Sequence, residues 1–83
     1  MKILYFAWLR QRVGCAEESV EPPASVTDVA SLLEWLRSRG PGYAAALADP
    51  SIVRVAINQA FARADAPVRP GDEIALFPPV TGG

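Results

Sequence analysis

The amino-acid sequence predicts an α+β domain in which a mixed sheet packs over one main helix. Apolar, strand-like runs lie near both ends of the 83-residue chain, and a segment with helical periodicity lies between them. The predicted order is strand, strand, helix, strand, short strand, strand. We expect the domain to span residues 1–77 and a flexible, extended tail to span residues 78–83.

The first half of the chain supplies two strands of this sheet. Lys2–Leu9 is rich in aromatic and branched apolar residues and predicts a strand. Both faces of that strand are apolar, so both should be covered. Arg10–Gly14 predicts a turn or a short helical connection, and Glu17–Val20 predicts a more exposed second strand that Pro22 and Pro23 end.

The main helix is predicted to begin at Ser25. Residues 25–28 resemble a capping box in which Asp28 takes the place of the usual Glu or Gln. Gly40 and Pro41 are typical of a helix end, and Tyr43–Ala48 predicts one more short helix. The apolar face of the main helix comprises Val26, Val29, Leu32, Leu33, Trp35 and Leu36.

The second half of the chain predicts a hairpin and a final strand. Ile52–Ile57 alternates apolar and other residues, Asn58-Gln59 suits a turn, and Ala60–Ala62 suits a short returning strand. Val68–Glu73 contains an adjacent Pro and Gly and predicts another turn, followed by a strand over Ile74–Phe77. The two strongly apolar terminal strands are candidates for a central pair.

Composition excludes several classes of function. The net charge is −1 without a basic block, so neither nucleic acid nor an anionic membrane is an expected partner. The chain has no histidine and one cysteine, which argues against a metal site. No apolar run approaches the ~20 residues of a membrane span, and the N-terminus lacks a signal-peptide cleavage pattern. We therefore expect a cytoplasmic protein that works at its surface, at a terminus or with a partner.

The tail is the most informative segment of the sequence. Two prolines end the last strand and favour an extended exit, and six extended residues reach at most ~20 Å. A terminal carboxylate can be activated by joining it to AMP, after which a sulfur nucleophile can displace AMP and leave a thiocarboxylate. Glycine permits close approach because it lacks Cβ. The alternative is that the chain is an interaction domain whose tail has this sequence by chance. The tail reads Pro78-Pro79-Val80-Thr81-Gly82-Gly83.

The chain resembles the MoaD-type sulfur carriers, the small subunits of molybdopterin synthase, which have a ubiquitin-like β-grasp fold. The resemblance covers essentially the whole chain and is most specific in the block from Pro70 to Gly83. It also rests on the opening strand Ile3–Ala7 followed by Leu9-Arg10 and Gly14, on the helix from Ser25, and on the strand end Val55–Gln59.

This resemblance implies a role for Gly83. A ubiquitin-activating-like adenylyltransferase would consume ATP to form a transient glycyl-adenylate at Gly83, and a sulfurtransferase system would convert it to a thiocarboxylate. The charged chain would then donate sulfur to cyclic pyranopterin monophosphate within a heterotetramer of two small and two large subunits. It would be the sulfur-donating subunit of that sulfurtransferase, not catalytic alone and without a cofactor of its own. Gly82, Thr81 and Val80 would guide the tail.

Three phenylalanines are candidate partner contacts. Phe6, Phe61 and Phe77 lie on predicted strands or beside them, so a shared sheet face opposite the helix would form an apolar patch with Pro78 and Pro79 at the tail exit. The alternative is that the phenylalanines belong to the ordinary core.

Cys15, Asp72 and Glu73 have simpler interpretations, and two other functions suit a terminal glycine. A lone cysteine such as Cys15 usually carries no chemistry. Asp72 and Glu73 are adjacent in the sequence and would point to opposite faces of a strand, so they predict a turn rather than a carboxylate pair. One alternative function is a sulfur carrier for thiazole or thio-nucleoside synthesis. Another is a ubiquitin-like protein modifier that forms isopeptide bonds through Gly83.

Overall fold

A computed structural model describes residues 1–79 of the chain. Its order of elements confirms the predicted α+β class and adds a helix directly after the first strand. The elements are β1 (Lys2–Tyr5), α1 (Ala7–Val13), β2 (Glu17–Ser19), α2 (Val29–Arg37), α3 (Pro41–Ala46), a short 3-10 turn (Pro50–Ile52), β3 (Arg54–Ile57), β4 (Ala60–Ala62) and β5 (Glu73–Phe77).

The strands form one mixed sheet in the order β2-β1-β5-β3-β4. The two apolar terminal strands, β1 and β5, are neighbours, as predicted, and the structure shows that they run parallel, with Tyr5 opposite Leu76. The other pairs are antiparallel. Because parallel strands end at the same edge of a sheet, the chain leaves β5 beside the point where it leaves β1.

The helices cover one face of this sheet and enclose the core. Ile3 and Tyr5 from β1, together with Ile74 and Leu76 from β5, are at most 2% exposed. Burying a large apolar side chain contributes about 1.5–3 kcal/mol. The side chains that meet them from the helical layer are equally buried, and they are Leu9, Leu32, Leu36 and Leu47.

Glu18 is a charged residue on the covered side of the sheet, because it pairs with Ile3 across β1 and β2. Its Oε2 accepts hydrogen bonds from the Tyr5 and Tyr43 hydroxyls, both at 2.7 Å, and its Oε1 accepts one from Arg39 at 3.0 Å. Partial burial opposes ionisation of the carboxyl, but these hydrogen bonds outweigh it and lower the pKa of Glu18. The carboxylate thus ties β1 and β2 to α3.

The predicted first strand, Lys2–Leu9, is too long. Pairing with β5 ends at Tyr5, Phe6 is the last extended residue, and Ala7 adopts a left-handed backbone with φ of 54° that turns the chain into α1. A left-handed alanine costs roughly 1–2 kcal/mol. The full burial of Leu9, on the inner side of α1, offsets that strain.

The predicted start of the main helix at Ser25 is also wrong. The helix begins at Val29 with Asp28 as its N-cap, and Asp28 and Ser31 form the capping box. The Asp28 carboxylate accepts from the Ser31 N–H at 2.8 Å, and Ser31 Oγ accepts from the Asp28 N–H at 3.1 Å. Thr27 stays outside the helix because its carbonyl oxygen accepts a hydrogen bond from the Val68 N–H.

Further boundaries also differ from the prediction, and the largest differences concern α3 and β3. Pro41 is the first residue of α3 rather than a stop, which suits its fixed φ and missing N–H, so this helix covers Pro41–Ala46 instead of Tyr43–Ala48. The strand predicted over Ile52–Ile57 begins at Arg54, because the Asp49 side chain caps the preceding 3-10 turn.

Candidate functional site

We call the face of the sheet opposite the helices the open face, and it carries an apolar patch. In β5, Ala75 and Phe77 alternate with the two buried core residues of that strand. Ala75 lies between Leu4 of β1 and Ala56 of β3, and Ala56 in turn lies opposite Phe61 of β4. Side chains that share a row of paired strands share a face, so these residues form one surface.

The three phenylalanines singled out in the sequence end up on this surface. Phe61 is 86% exposed, and its ring centroid lies 5.9 Å from that of Phe77. The small side chain of Ala56 leaves room for that contact. Phe6 continues the extended backbone of β1, is 48% exposed and donates its N–H to the Leu76 carbonyl oxygen at 3.1 Å. Contiguous exposed apolar surfaces are typical of interaction sites, so this surface is the candidate site.

The tail leaves the sheet at the edge of the open face. Pro78 and Pro79 follow Phe77 directly, are half-buried, and are the last residues that the structure describes. The four residues predicted to guide the tail and carry the chemistry lie outside the described residues, and they are Val80, Thr81, Gly82 and Gly83.

The charges on the open face are arranged unevenly. At the end far from the tail, Lys2 Nζ lies 3.1 Å from Glu17 Oε2, and this hydrogen bond and the charge of Glu17 raise the pKa of Lys2. At the tail end, Arg54 lies opposite Phe77 and donates to the Ser51 carbonyl oxygen at 3.2 Å. Within residues 1–79, no carboxylate forms an ion pair with Arg54.

Cys15 lies away from the open face, after α1 and close to the Glu18 carboxylate. Burial, with a further contribution from the negative charge of Glu18, raises the pKa of the Cys15 thiol. A thiol is nucleophilic only as its thiolate, which is scarce here at neutral pH. The environment therefore favours the interpretation that Cys15 carries no chemistry.

Asp72 has a structural role in the turn that precedes β5. Its carboxylate accepts from the Arg69 N–H at 2.9 Å and from Asn58 Nδ2 at 3.1 Å. Asn58 and Gln59 both have positive φ and form the two-residue hairpin turn that the sequence predicted. Asp72 is thus committed to joining two turns, in agreement with its expected role.

Within the described part of the chain, no helix has the length and apolar character needed to cross a membrane. The same residues include no group of three or more His, Cys, Asp or Glu side chains placed to hold a metal ion.

Two features of the site were missed in the sequence. Ala56 reads as an ordinary strand residue, but its small side chain allows the two phenylalanine rings to meet. Arg54 is one of the polar residues of an alternating strand. That alternation predicts its place on the open face but not its position beside the tail exit. The antiparallel register of β3 and β5 determines that position, and a single sequence does not reveal this register.

Comparisons with known proteins agree with this geometry. The molybdopterin synthase sulfur carrier subunit of Escherichia coli (strain K12) is 37% identical over 83 residues, which cover 100% of this chain and 99% of that protein. A putative molybdopterin converting factor subunit 1 from Pyrococcus furiosus superposes with a TM-score of 0.73 at 32% identity, covering 95% of each chain. Small archaeal modifier protein 1 from Haloferax volcanii superposes with a TM-score of 0.74 at 28% identity, covering 96% of this chain and 97% of that one.

These neighbours, together with the mixed five-stranded sheet, confirm the predicted ubiquitin-like β-grasp fold. The model that describes the ThiS family matches residues 3–83, nearly the full length. The chain therefore belongs to the ThiS family.

Proposed function

We propose that this protein is a sulfur carrier, the small subunit of a molybdopterin synthase. The observation that supports the proposal most strongly is the likeness, over all 83 residues, to a protein named molybdopterin synthase sulfur carrier subunit. The geometry is compatible with that role, because β5 runs along the open face and delivers the chain to its edge at Pro78.

The proposed chemistry takes place at the carboxylate of Gly83. The carboxylate oxygen attacks the α-phosphorus of ATP on an adenylyltransferase, pyrophosphate leaves, and a glycyl-adenylate forms. A sulfide equivalent from a sulfurtransferase system adds to the carbonyl carbon and AMP leaves, which gives the thiocarboxylate. That sulfur then attacks a carbon of cyclic pyranopterin monophosphate and displaces an oxygen substituent from it, which gives a thioester between Gly83 and the substrate. Water cleaves the acyl–sulfur bond of this thioester, so the sulfur stays on the product and the Gly83 carboxylate is restored. A dithiolene contains two sulfurs, so each product requires two charged tails.

The open face is the proposed docking surface for the large subunit. Exposed Phe61 and half-buried Phe77 supply an aromatic pair, and Phe6 adds a third exposed ring at the end of β1. Pro78 and Pro79 direct the tail into the partner. Aromatic side chains contribute much of the binding energy at such interfaces. We propose a heterotetramer of two small and two large subunits, located in the cytoplasm where ATP is available.

A reconstitution tests this proposal. The chain is charged to the thiocarboxylate, mixed with the large subunit from the same organism and cyclic pyranopterin monophosphate, and molybdopterin formation is measured. We expect product only with the charged chain, in an amount limited to one molecule for every two carriers. Equal product from the uncharged chain, or none from the charged chain, would contradict the proposal.

A second candidate function is protein modification, which the likeness to small archaeal modifier protein 1 favours. The same glycyl-adenylate would then be attacked by a lysine Nζ of another protein, with loss of AMP and formation of an isopeptide bond. Lysine-linked adducts of this chain in the cell would support that function. Their absence beside a thiocarboxylated tail would support the carrier.

A further inference from the structure

A groove of about 330 Å³ lies at the edge of the sheet where β4 ends, and we call it the edge groove. The strand β4 pairs only with residues 55–57 of β3, so Val53 and Arg54 extend beyond it along the sheet edge. The N-terminal half of α2 and the 3-10 turn form the other walls. The apolar lining of the edge groove includes Val29, Leu33, Pro50, Val53, Val55 and Ala62.

Two arginines, Arg54 and Arg63, also line the edge groove, and both are exposed. No acidic residue lines it, and no carboxylate within residues 1–79 forms an ion pair with either arginine. The Arg54 guanidinium donates a hydrogen bond to the carbonyl oxygen of Ser51, which belongs to the 3-10 turn beside the groove. An apolar lining with two cations complements a segment that is both apolar and acidic.

The edge groove is continuous with the open face. Arg54 lies opposite Phe77 in the sheet and also lines the groove. Phe61 and Arg63 flank Ala62 at the end of β4, so the groove begins where the aromatic pair ends. A protein that covers the aromatic pair therefore lies beside the groove and needs only a short extension to enter it.

We propose that the large subunit that docks on the open face inserts an extended acidic segment, with apolar neighbours, into the edge groove. The segment lies along the sheet edge beyond β4, its apolar side chains pack on Val53 and Leu33, and its carboxylates pair with Arg54 and Arg63. This inference rests on the proposed function, because that function supplies the partner.

The test is the affinity of the full chain for the large subunit from the same organism. We compare the wild type with the double variant R54Q/R63Q and with the control R37Q/R69Q, which removes the same charge outside the edge groove. Exposed ion pairs contribute little singly, so we expect R54Q/R63Q to weaken binding about fivefold at low salt. We also expect the affinity of this variant to depend less on salt, because fewer ion pairs remain to be screened. R54K/R63K should restore most of the affinity.

The outcomes separate this inference from the proposed function. If the wild type binds the large subunit and R54Q/R63Q binds equally well with the same salt dependence, the edge groove is not a contact and the inference is wrong. If the control weakens binding as much as R54Q/R63Q does, general charge attraction explains the effect and the inference is again wrong. If the wild type fails to bind the large subunit, the proposed function fails and the inference fails with it. Unchanged thermal unfolding of R54Q/R63Q excludes a folding defect.

Discussion

The two faces of the sheet are both apolar, but they differ in what covers them. On the covered face, Ile74 and Leu76 are fully buried beneath the helical layer. On the open face, the alternating residues Ala75 and Phe77 of the same strand remain partly exposed, and Phe61 is almost fully exposed. Two neighbouring residues of β5 thus serve different purposes, since one stabilises the domain and the next is available to a partner.

The two faces separate stability from the proposed function in a chain of 83 residues. A domain this small has little interior to spare for an enclosed site. Its proposed chemistry therefore uses a terminus, and its proposed recognition uses the sheet face that the helices leave free. Substitutions on the two faces should give opposite patterns of effect.

Deletion of Gly83 is expected to have the largest effect. Sulfur transfer in the reconstituted synthase should disappear, because the chain would then end at Gly82 and its reacting carboxylate would be one residue short. The free energy of unfolding should change by less than about 0.5 kcal/mol, because a residue beyond the last strand contributes little to the core. Urea unfolding and molybdopterin formation measure the two effects, and a large loss of stability would contradict the separation.

Substitution of Leu76 tests the covered face. L76A removes a fully buried side chain and should lower the free energy of unfolding by about 3 kcal/mol. The matched change at its neighbour, F77A, should cost roughly 1 kcal/mol or less, because Phe77 is only half-buried. Chemical denaturation of both variants checks the contrast, and equal losses would return Phe77 to the core.

The aromatic pair tests the open face. F61D should weaken binding to the large subunit by about 2 kcal/mol, which is nearly thirtyfold, because it places a charge in the middle of an apolar contact. Its thermal unfolding should be nearly unchanged, since Phe61 is 86% exposed. Isothermal titration calorimetry measures the affinity, with R69Q as a control at the opposite end of β5. Wild-type affinity of F61D would exclude this face as the docking surface.

The smallest expected effect concerns acid stability through Glu18. The folded state lowers the pKa of this carboxyl, so its stabilisation is complete above the unfolded pKa of about 4.3 and is lost as the pH falls through the folded pKa. E18Q should therefore lower the free energy of unfolding by roughly 1–2 kcal/mol at neutral pH and by much less in acid.

Urea unfolding of E18Q and the wild type across this pH range measures that difference. E34Q is the control, because Glu34 forms only an exposed pair with Arg37. If the difference in free energy of unfolding between the wild type and E18Q stays constant with pH, these hydrogen bonds do not depend on the ionised form of Glu18, and the prediction is wrong.

Much of the fold and of the open face could be predicted where a sequence pattern is compatible with one local structure. The alternation in Ile74–Phe77 predicts both faces of β5, and Asn58-Gln59 predicts the hairpin turn. Prediction failed where two structures suit the same residues. An apolar run such as residues 7–9 suits a strand or a helix, and the end of pairing with β5 decides between them. Ser25 and Asp28 are both good caps, and the hydrogen bond from Val68 to Thr27 selects the second.

The edge groove could not be predicted at all. It exists because β4 is shorter than β3 and because α2 packs beside the exposed end of β3. Arg54 and Arg63 are nine residues apart in the sequence, and only the hairpin register brings them to one groove. Composition shows balanced charge and gives no sign of this local excess of positive charge.

Intact mass spectrometry of the chain isolated from cells tests most directly whether Gly83 carries sulfur. We predict a population whose mass is increased by the replacement of one oxygen atom by sulfur, with fragmentation that places the change at Gly83. Incubation with ATP, the adenylyltransferase and a sulfur donor should increase that population. A terminus that remains an unmodified carboxylate under all of these conditions would contradict the account.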